Sequence, residues 1–430
     1  MTRQVASLFP AKRLKHVVSL RRSRVDGNED DRPYVGLENI ESWTGKLLGN
    51  SATDEASSAI MVEGTSLSNT FEPGDVLFGK LRPYLAKVWV AEFPGRSTTE
   101  LLVMHPVEIE PRFLRYVCLW HDFVNAVDAS TFGSRMPRAD WDFIGNMSVP
   151  IPEWRKQCAI ANYLDRETVR LDALVAEKER LLDLLAEKRR SLITRAVTRG
   201  LDPNVSLRDS GISWLGEIPV HWETWKVGHL AEVGNGSTPS RSNAAYWSEG
   251  KIPWLNSSVV NRPKVTHADQ FVTELAAQEC HLPLVKHGSV LVAITGQGKT
   301  RGRAAVLLFD ATINQHLAFI HPKQSHLLPW FLRWTLFAAY DFLRSISDDA
   351  GGTKGALTCE EVANLRVPVP PVREQAVILA KIAVSVERLD SLQAVTKNTI
   401  SLIKERRSAL ISAAVTGQID MEQVAWKSPR

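Results

Sequence analysis

The sequence predicts an α+β chain that repeats itself: two similar globular blocks, each followed by one long helix, with the helices antiparallel and coiled-coil-like across a pseudo-two-fold. Three observations carry this. Val149 to Asp202, laid without a gap over Val367 to Asp420 at an offset of 218, agrees at 20 of 54 positions, against about one in sixteen for ordinary composition. Each copy runs for more than 40 residues without proline. The residues ahead of each copy break into short apolar and β-branched runs separated by glycine and proline, which is strand-and-turn patterning.

The first block covers residues 1–148. Lys12, Arg13, Lys15, Arg21, Arg22 and Arg24 fall between Pro10 and Val25 without an acidic residue among them; such a run is either a solvated face or a contact to a polyanion. Short strands are expected at Pro33 to Leu37, at Val76 to Phe78 after the Pro73-Gly74-Asp75 turn, and at Leu101 to Met104 before His105-Pro106. Pro111 to Asn125 reads as one helix.

The first copy of the repeat, residues 149–205, opens on Val-Pro-Ile-Pro, which no helix traverses, and from Glu153 onward reads as one helix. Its apolar seam steps by seven through Leu164, Leu171, Leu185 and Leu192, with Leu174 and Leu181 interleaved, which is heptad logic. The second block, residues 206–366, follows the first in outline. Gly288-Ser289-Val290-Leu291 stands for Gly74-Asp75-Val76-Leu77, His321-Pro322 for His105-Pro106, and Phe331-Leu332-Arg333 for Phe113-Leu114-Arg115. The second copy, residues 367–425, opens on Val-Pro-Val-Pro and carries Ile382, Leu389, Ile403 and Leu410 with Leu392 interleaved; Lys178 and Thr396 interrupt the two seams. At about 1.5 Å per residue each helix is ~60 Å long, more than one small core can cover. Packing of the helices on each other is therefore expected over the alternative of two helices lying on separate cores.

A net charge of +4 with 44% apolar residues places any nucleic-acid footprint in local clusters rather than in bulk charge. Cys118, Cys158, Cys280 and Cys359 are far apart and contain no CxxC pair, which argues against a zinc site or a disulfide framework. No stretch reaches 18 uninterrupted apolar residues, and a cytoplasmic protein is expected.

No catalytic constellation is legible. Gly296-Gln297-Gly298-Lys299-Thr300 ends like a phosphate-binding loop, but Ala293 stands where the first Walker glycine belongs. The Asn- or Asp-Pro-Pro-Tyr grip of an amino-directed DNA methyltransferase is missing, as is the acid, acid-x-lysine grouping of a metal-dependent nuclease. His316 and His321 read as structural. Basic residues instead gather with glycines and hydroxyls in matched loops: Lys80, Arg82, Lys87, Arg135 and Arg138 in the first block, and Ser237, Thr238, Arg241, Lys299, Arg301, Arg303, Thr353 and Lys354 in the second. Glycine allows close backbone approach to phosphate, and arginine and lysine can hold phosphates or read guanine edges. Together with Arg21, Arg22 and Arg24 these are the candidate DNA contacts; ordinary flexible surface is the other reading of each loop.

The chain resembles the specificity (S) subunits of Type I restriction-modification systems over nearly its whole length. Ser210 to Val227 (SGISWLGEIPVHWETWKV), GNGSTPSRSNAAYW with GKIPWLNSSVV, the helix starts VPIPEWRKQ and VPVPPVREQ, and the helix ends KRRSLITRAVTRGLD and RRSALISAAVTGQID carry the likeness. One departure is the leader Ala6 to His16, which lacks the Trp-Leu-Gly-Glu-Ile-Pro run that precedes the second block. The resemblance implies two target recognition domains, each reading half of a split asymmetric DNA sequence, with the helices as spacer and as docking sites for two methyltransferase subunits. It also implies motor-nuclease subunits in the full complex. The chain itself would hold no metal and no cofactor, S-adenosylmethionine, ATP and Mg2+ belonging to those partners. The competing reading from a different class is a coiled-coil scaffold that binds protein partners without reading DNA.

Overall fold

Trp154–Arg199 and Val372–Val415 are single helices of 46 and 44 residues in a computed structural model that describes residues 7–26, 31–49, 67–133, 136–296, 298–323, 325–348 and 355–421. Proline sets where each can begin, and glycine stops each: Gly200 (φ +73°) and Gly417 (φ +83°) take the left-handed turn that caps a helix C-terminus. Backbone contacts divide the chain into Met1–Glu179 with Lys397–Arg430, and Arg180–Thr396. Each block thus keeps half of both helices.

The physical reason is core completion. In the first unit Ile160, Ala161 and Leu164, together with Ile411, Ala414 and Val415, close the core formed by Phe113, Leu114, Val117 and Phe123. In the second, Ile193, Ala196 and Val197 of the first helix and Ile378 and Ile382 of the second close on Trp222, Phe331, Leu332 and Ile320. Within each unit the early part of one helix meets the late part of the other, so the two run antiparallel.

The first block centres on an antiparallel sheet in the order Val18–Leu20, Leu101–Pro106, Val76–Gly79, Val88–Val90. Successive side chains of a strand face opposite sides, and here both sides are covered. Val76, Phe78, Leu102 and Met104 join the core that the helices close, whereas Leu77, Leu101, Val103 and Trp89 pack with Phe71, Val35 and Ile40, beside a second sheet of Arg24–Val25, Ser68–Phe71, Gly95–Ser97 and Tyr34–Val35. The second block repeats this order as Ala231–Asn235, Leu317–Pro322, Val290–Ala293, Ala304–Leu307, and adds Lys264–Val265 parallel to the last. Val290, Val292 and Ile320 face the helices, while Leu291, Ala293 and Phe319 face a separate cluster with Leu255 and Ile313.

Two helical expectations need correction. Pro111 to Asn125 is two helices, Pro111–Cys118 and His121–Ala129. Trp120 turns extended between them (ψ 128°), and its indole N–H donates to Ser412 Oγ at 3.1 Å. On the long helices Leu164, Leu171, Leu185, Ile382 and Leu389 are buried and Leu192, Ile403 and Leu410 half-buried. Leu174, Leu181 and Leu392, however, are 42%, 37% and 47% exposed. Thr168, Val175 and Leu182 hold the interleaved places on the first helix, and Gln393, Ile400 and Arg407 on the second. A step of seven fixes one row of a seam but leaves open whether the second row lies three or four residues on, a choice made by the surface the helix meets. Thr168 and Thr396 are tolerated on the seam because each hydroxyl donates to the carbonyl four residues back, at 2.7 and 2.8 Å.

Buried polar contacts recur between the units. Gln157 Oε1 accepts from Glu110 N at 2.8 Å and its Nε2 donates to the Pro152 carbonyl at 2.8 Å; Gln375, 218 residues on, accepts from Leu328 N at 2.9 Å and donates to the Pro370 carbonyl at 2.8 Å. Each glutamine pins the start of its long helix to the start of the helix that opens on Pro111 or Pro329. Asp172 pairs with Arg407 at 2.9 Å in the first unit and Asp390 with Arg189 at 3.3 Å in the second. The two helices exchange roles between these equivalent pairs, the first giving the aspartate in one unit and the arginine in the other.

Candidate nucleic-acid interface

In the first unit the turn after Val76–Gly79 carries the exposed candidates. Arg82 adopts φ +51° and Ala86 φ +44°, a tight excursion held by Arg82 N to the Pro137 carbonyl (2.9 Å), Lys80 N to the Glu100 carbonyl (3.0 Å) and Ala139 N to the Lys80 carbonyl (2.9 Å). These bonds tie the turn to the segment around Arg138, whose guanidinium grips both Glu100 oxygens at 3.0–3.1 Å and is raised in pKa by that carboxylate. Arg82 is exposed, Lys80 and Arg138 half-buried. Beside them Tyr84, Met136 and Phe132 are 47%, 49% and 66% exposed. Exposed aromatics interleaved with cations suit stacking on bases and pairing with phosphates. Tyr84 and Phe132 were passed over in the sequence because an isolated aromatic in a loop carries no periodic signal.

Several sequence candidates are engaged in contacts within their own block. Lys87 Nζ donates to the carbonyls of Leu37 and Ile40, both at 2.6 Å, and burial lowers its pKa. Arg21 is bound to Asp75 at 2.7 Å, which raises its pKa; Asp75 also meets His105 Nδ1 at 2.9 Å. Ser289 and His321 repeat that last contact at 2.9 Å in the second unit. Arg301 is 2% exposed and donates to the Gly355 carbonyl at 2.6 Å, so it anchors its loop rather than presenting a charge. Arg22 and Arg24 are exposed. Arg135, Thr353 and Lys354 lie outside the described residues.

In the second unit the loop after Ala231–Asn235 is seated by Gly236, where a Cβ would stand 1.7 Å from the Ile313 carbonyl oxygen; only glycine fits. Two indoles then fix the loop: Trp254 Nε1 donates to the Ser237 carbonyl at 3.1 Å and Trp247 Nε1 to the Ser240 carbonyl at 3.0 Å. Arg241 lies over the Trp247 ring at 3.8 Å and the Trp254 ring at 4.9 Å, and donates to Gln270 Oε1 at 2.7 Å. Its exposed guanidinium is therefore pre-oriented, which lowers the entropy lost on gripping a phosphate or guanine.

Neighbouring polar groups form a line. Thr238 donates to Gln315 Oε1, Gln315 Nε2 lies 3.4 Å from His316 Nε2, and His316 Nδ1 is 2.7 Å from Thr295 Oγ1. Gln315 and His316 are exposed, so His316, read from sequence as structural, belongs to the surface between two candidate loops. Amide and imidazole groups of this kind match base-edge donors and acceptors. The loop from Thr295 is tethered through Tyr340 Oη to the Lys299 carbonyl (2.9 Å) and Arg344 Nη1 to the Gly298 carbonyl (2.7 Å). It leaves Lys299 exposed and Arg303 half-buried, the latter 3.2 Å from Asn261 Oδ1. It leads into a strand rather than a helix, unlike a nucleotide-binding P-loop. Among the described residues no cluster of three histidine, cysteine or acidic side chains could hold a metal, and no helix is long and apolar enough to cross a membrane.

Comparison with known proteins agrees with this geometry. Residues 219–407 match the model of the Type I restriction modification DNA specificity domain. The chain is 24% identical over 321 residues, 73% of its length and 71% of the other, to the EcoR124I/EcoR124II specificity subunit of Escherichia coli. It is 28% identical over 182 residues, 41% of its length and 40% of the other, to the MjaIX specificity subunit of Methanocaldococcus jannaschii. In fold it resembles a chain from a study of assembly and conformational transition in a type I R-M system (TM-score 0.74, 18% identity, covering 97% of this chain and 100% of that one). It also resembles the HsdS subunit of Thermoanaerobacter tengcongensis (TM-score 0.54, 18% identity, covering 96% and 97%). The second block with most of the second long helix thus matches a Type I restriction modification DNA specificity domain, the first block repeats its sheet order and helix clamp, and the chain as a whole is similar to Type I restriction enzyme specificity subunits.

Proposed function

We propose that each unit reads one half of a split, asymmetric DNA sequence, and that the long helices set the spacing between the two readings. The observation that carries this is a repeated scaffold with unlike loops. Sheet order and the glutamine clamp recur, whereas the Arg82–Tyr84 turn after Val76–Gly79 stands where the second unit has the Lys299–Arg303 loop after Val290–Ala293, and the indole-stacked Arg241 loop after Ala231–Asn235 stands where the first has Arg22 and Arg24 after Val18–Leu20. Unlike surfaces on like scaffolds suit unlike half-sites. Helices of 46 and 44 residues at about 1.5 Å per residue span roughly two duplex turns of about 34 Å each, long enough to hold half-sites centred about one turn apart on one face of the duplex.

The chain acts here without catalysis of its own. Two methyltransferase subunits dock on the helices, where Leu174 and Leu402 in the first unit and Leu181, Val384 and Leu392 in the second stay 37–67% exposed. Motor-nuclease subunits join in the full complex, and S-adenosylmethionine, ATP and Mg2+ are bound by these partners. The test is a block exchange: replacing residues 1–148 by the corresponding block of a relative, then mapping methylated positions with the methyltransferase subunit present. One half of the methylated sequence should change and the other persist; a change in both halves, or no DNA retention by the complex at any salt concentration, overturns the reading.

A further inference from the structure

The second unit holds a cleft of about 570 Å³. Arg189, Arg190, Arg262, Lys299, Arg303 and Arg333 line it against a single lining carboxylate among the described residues, Asp390. Asp390 is paired with Arg189 at 3.3 Å, and Arg190 is paired with Asp341, which leaves a surplus of positive charge. Phe337 and Tyr340 supply an aromatic wall. The deepest cation is Arg333, 9% exposed. Its guanidinium lies 3.9 Å from the Trp334 ring centre and its Nε donates to the Ala304 carbonyl at 3.4 Å, but its Nη1 is buried without a hydrogen-bond partner.

The repeat shows what this arginine has lost. Its counterpart 218 residues earlier, Arg115, donates to the Asp165 carboxylate, which also accepts from Tyr116 Oη at 2.7 Å. The position equivalent to Asp165 in the second unit is Ala383. Burial and the neighbouring Arg189 accordingly pull the Arg333 pKa down to about 10. A buried charge stripped of its internal partner is costly unless an anion arrives from outside.

We propose that this cleft binds a phosphate group, held by Arg333 Nη1 with Arg303 and Lys299, in a ligand of mononucleotide size whose ring lies along Tyr340 and Phe337. Phosphate fits better than carboxylate because several cations converge, and a doubly charged group with three acceptor oxygens answers more of them. The phosphate can come from a free nucleotide or from a DNA strand. Lys299 and Arg303 are shared with the half-site reading, but binding of a free nucleotide requires no sequence recognition and is separable from it by experiment.

The experiment uses the full chain with AMP, inorganic phosphate and a short duplex of arbitrary sequence as probes, followed by calorimetry and by duplex titration across salt. Arg333→Met removes the deepest cation. Arg303→Gln, at a half-buried loop position, keeps the test valid if the first variant folds poorly. Ala383→Asp restores the carboxylate of the other repeat. A free-nucleotide site gives saturable AMP binding that weakens about tenfold or more in Arg303→Gln, vanishes in Arg333→Met, and is lost in Ala383→Asp while thermal stability rises. A strand-phosphate site gives weak AMP binding but a duplex salt slope that falls by about one for each cation removed. Binding of every probe equal in all three variants and the parent overturns the proposal, as does a defect confined to capture of the methyltransferase subunit, which would assign the cleft to a protein carboxylate.

Discussion

Arg407 should matter to folding far more than its repeat counterpart Arg189, although the two are matched in sequence and each faces an equivalent aspartate. Arg407 Nε meets Asp172 at 2.9 Å, Nη1 donates to the Trp43 carbonyl at 2.8 Å and Nη2 to the Thr44 carbonyl at 3.3 Å, with 11% of the side chain exposed. One guanidinium thus ties the second helix to the first helix and to a loop of the first block. Arg407→Met removes three charge-assisted bonds at about 1.5–3 kcal/mol each if fully unmet, but Lys46 still pairs with Asp172 at 2.8 Å and the buried methionine recovers apolar contact. The net loss should be about 2–3 kcal/mol, or roughly 5–10 °C in the melting of a unit of this size. Arg189 has its aspartate at 3.3 Å, that aspartate is 55% exposed, and its Nε has no hydrogen-bond partner. Arg189→Met should cost under about 1 kcal/mol. Urea and thermal unfolding of the two variants, followed by circular dichroism, decide the matter; equal losses would show that the carbonyl contacts of Arg407 contribute nothing.

Four other variants test contacts elsewhere in the two units. Gln375 is fully buried with bonds to Leu328 N, the Pro370 carbonyl and the His326 carbonyl, all at 2.8–2.9 Å; Gln375→Leu should lose about 2–3 kcal/mol in urea unfolding, and a neutral result would mean the clamp is incidental. Arg241→Ala should weaken specific DNA retention by the complex about tenfold or more and relax sequence choice in one half-site only, whereas Lys87→Met should leave the salt slope of DNA binding unchanged. Tyr116, pushed up to about 12 by burial, keeps its proton in the folded state while an unfolded tyrosine loses it near pH 10. Its contribution is intact below pH 10 and falls, by at most about 2–3 kcal/mol, between pH 10 and about 12. Tyr116→Phe should flatten that alkaline decline in a pH series of unfolding midpoints.

The scaffold was legible because it is periodic or punctuated. A gap-free repeat, two proline stops and long runs without proline locate both helices to within a residue or two at their starts, and the glycine turns before Val76 and Val290 mark the central strands. The interleaved row of the helix seam was not legible, since Leu174 and Thr168 both satisfy a heptad read from one chain and only the partner surface selects Thr168. The split at Leu119–Trp120 left no glycine or proline to announce it. In the loops, residue type indicates charge but not direction: Lys80 and Lys87 look alike in sequence, yet the second points inward at two carbonyls. Glutamine and histidine at 315 and 316 carry no loop signal of their own and become an interface only when the Thr238 and Thr295 loops meet beside them.

What differs between the two halves follows from what each contact is for. Positions that fix the scaffold repeat as the same residue or as chemical equivalents: Gln157 and Gln375, Asp172 and Asp390, Arg189 and Arg407 on the long helices, and in the sheets His105 on an aspartate and His321 on a serine. Where the group is buried, as for Gln157, Gln375 and Arg407, a change at one end leaves an unmet group at the other. Loop side chains facing solvent carry no such penalty, and there the halves differ: Arg82 beside Tyr84 in one where the other has Lys299 and Arg303, and Arg241 over two indoles in the second where the first has Arg22 and Arg24. On the proposed reading, the repeated frame fixes position while the free edges can each be tuned to a different sequence. Asp165 and Ala383 break the rule, because here a frame position has lost one member of a buried pair and the orphaned Arg333 remains charged. Retention of an unmet buried cation is unstable as architecture alone. It makes physical sense if something negative from outside completes it.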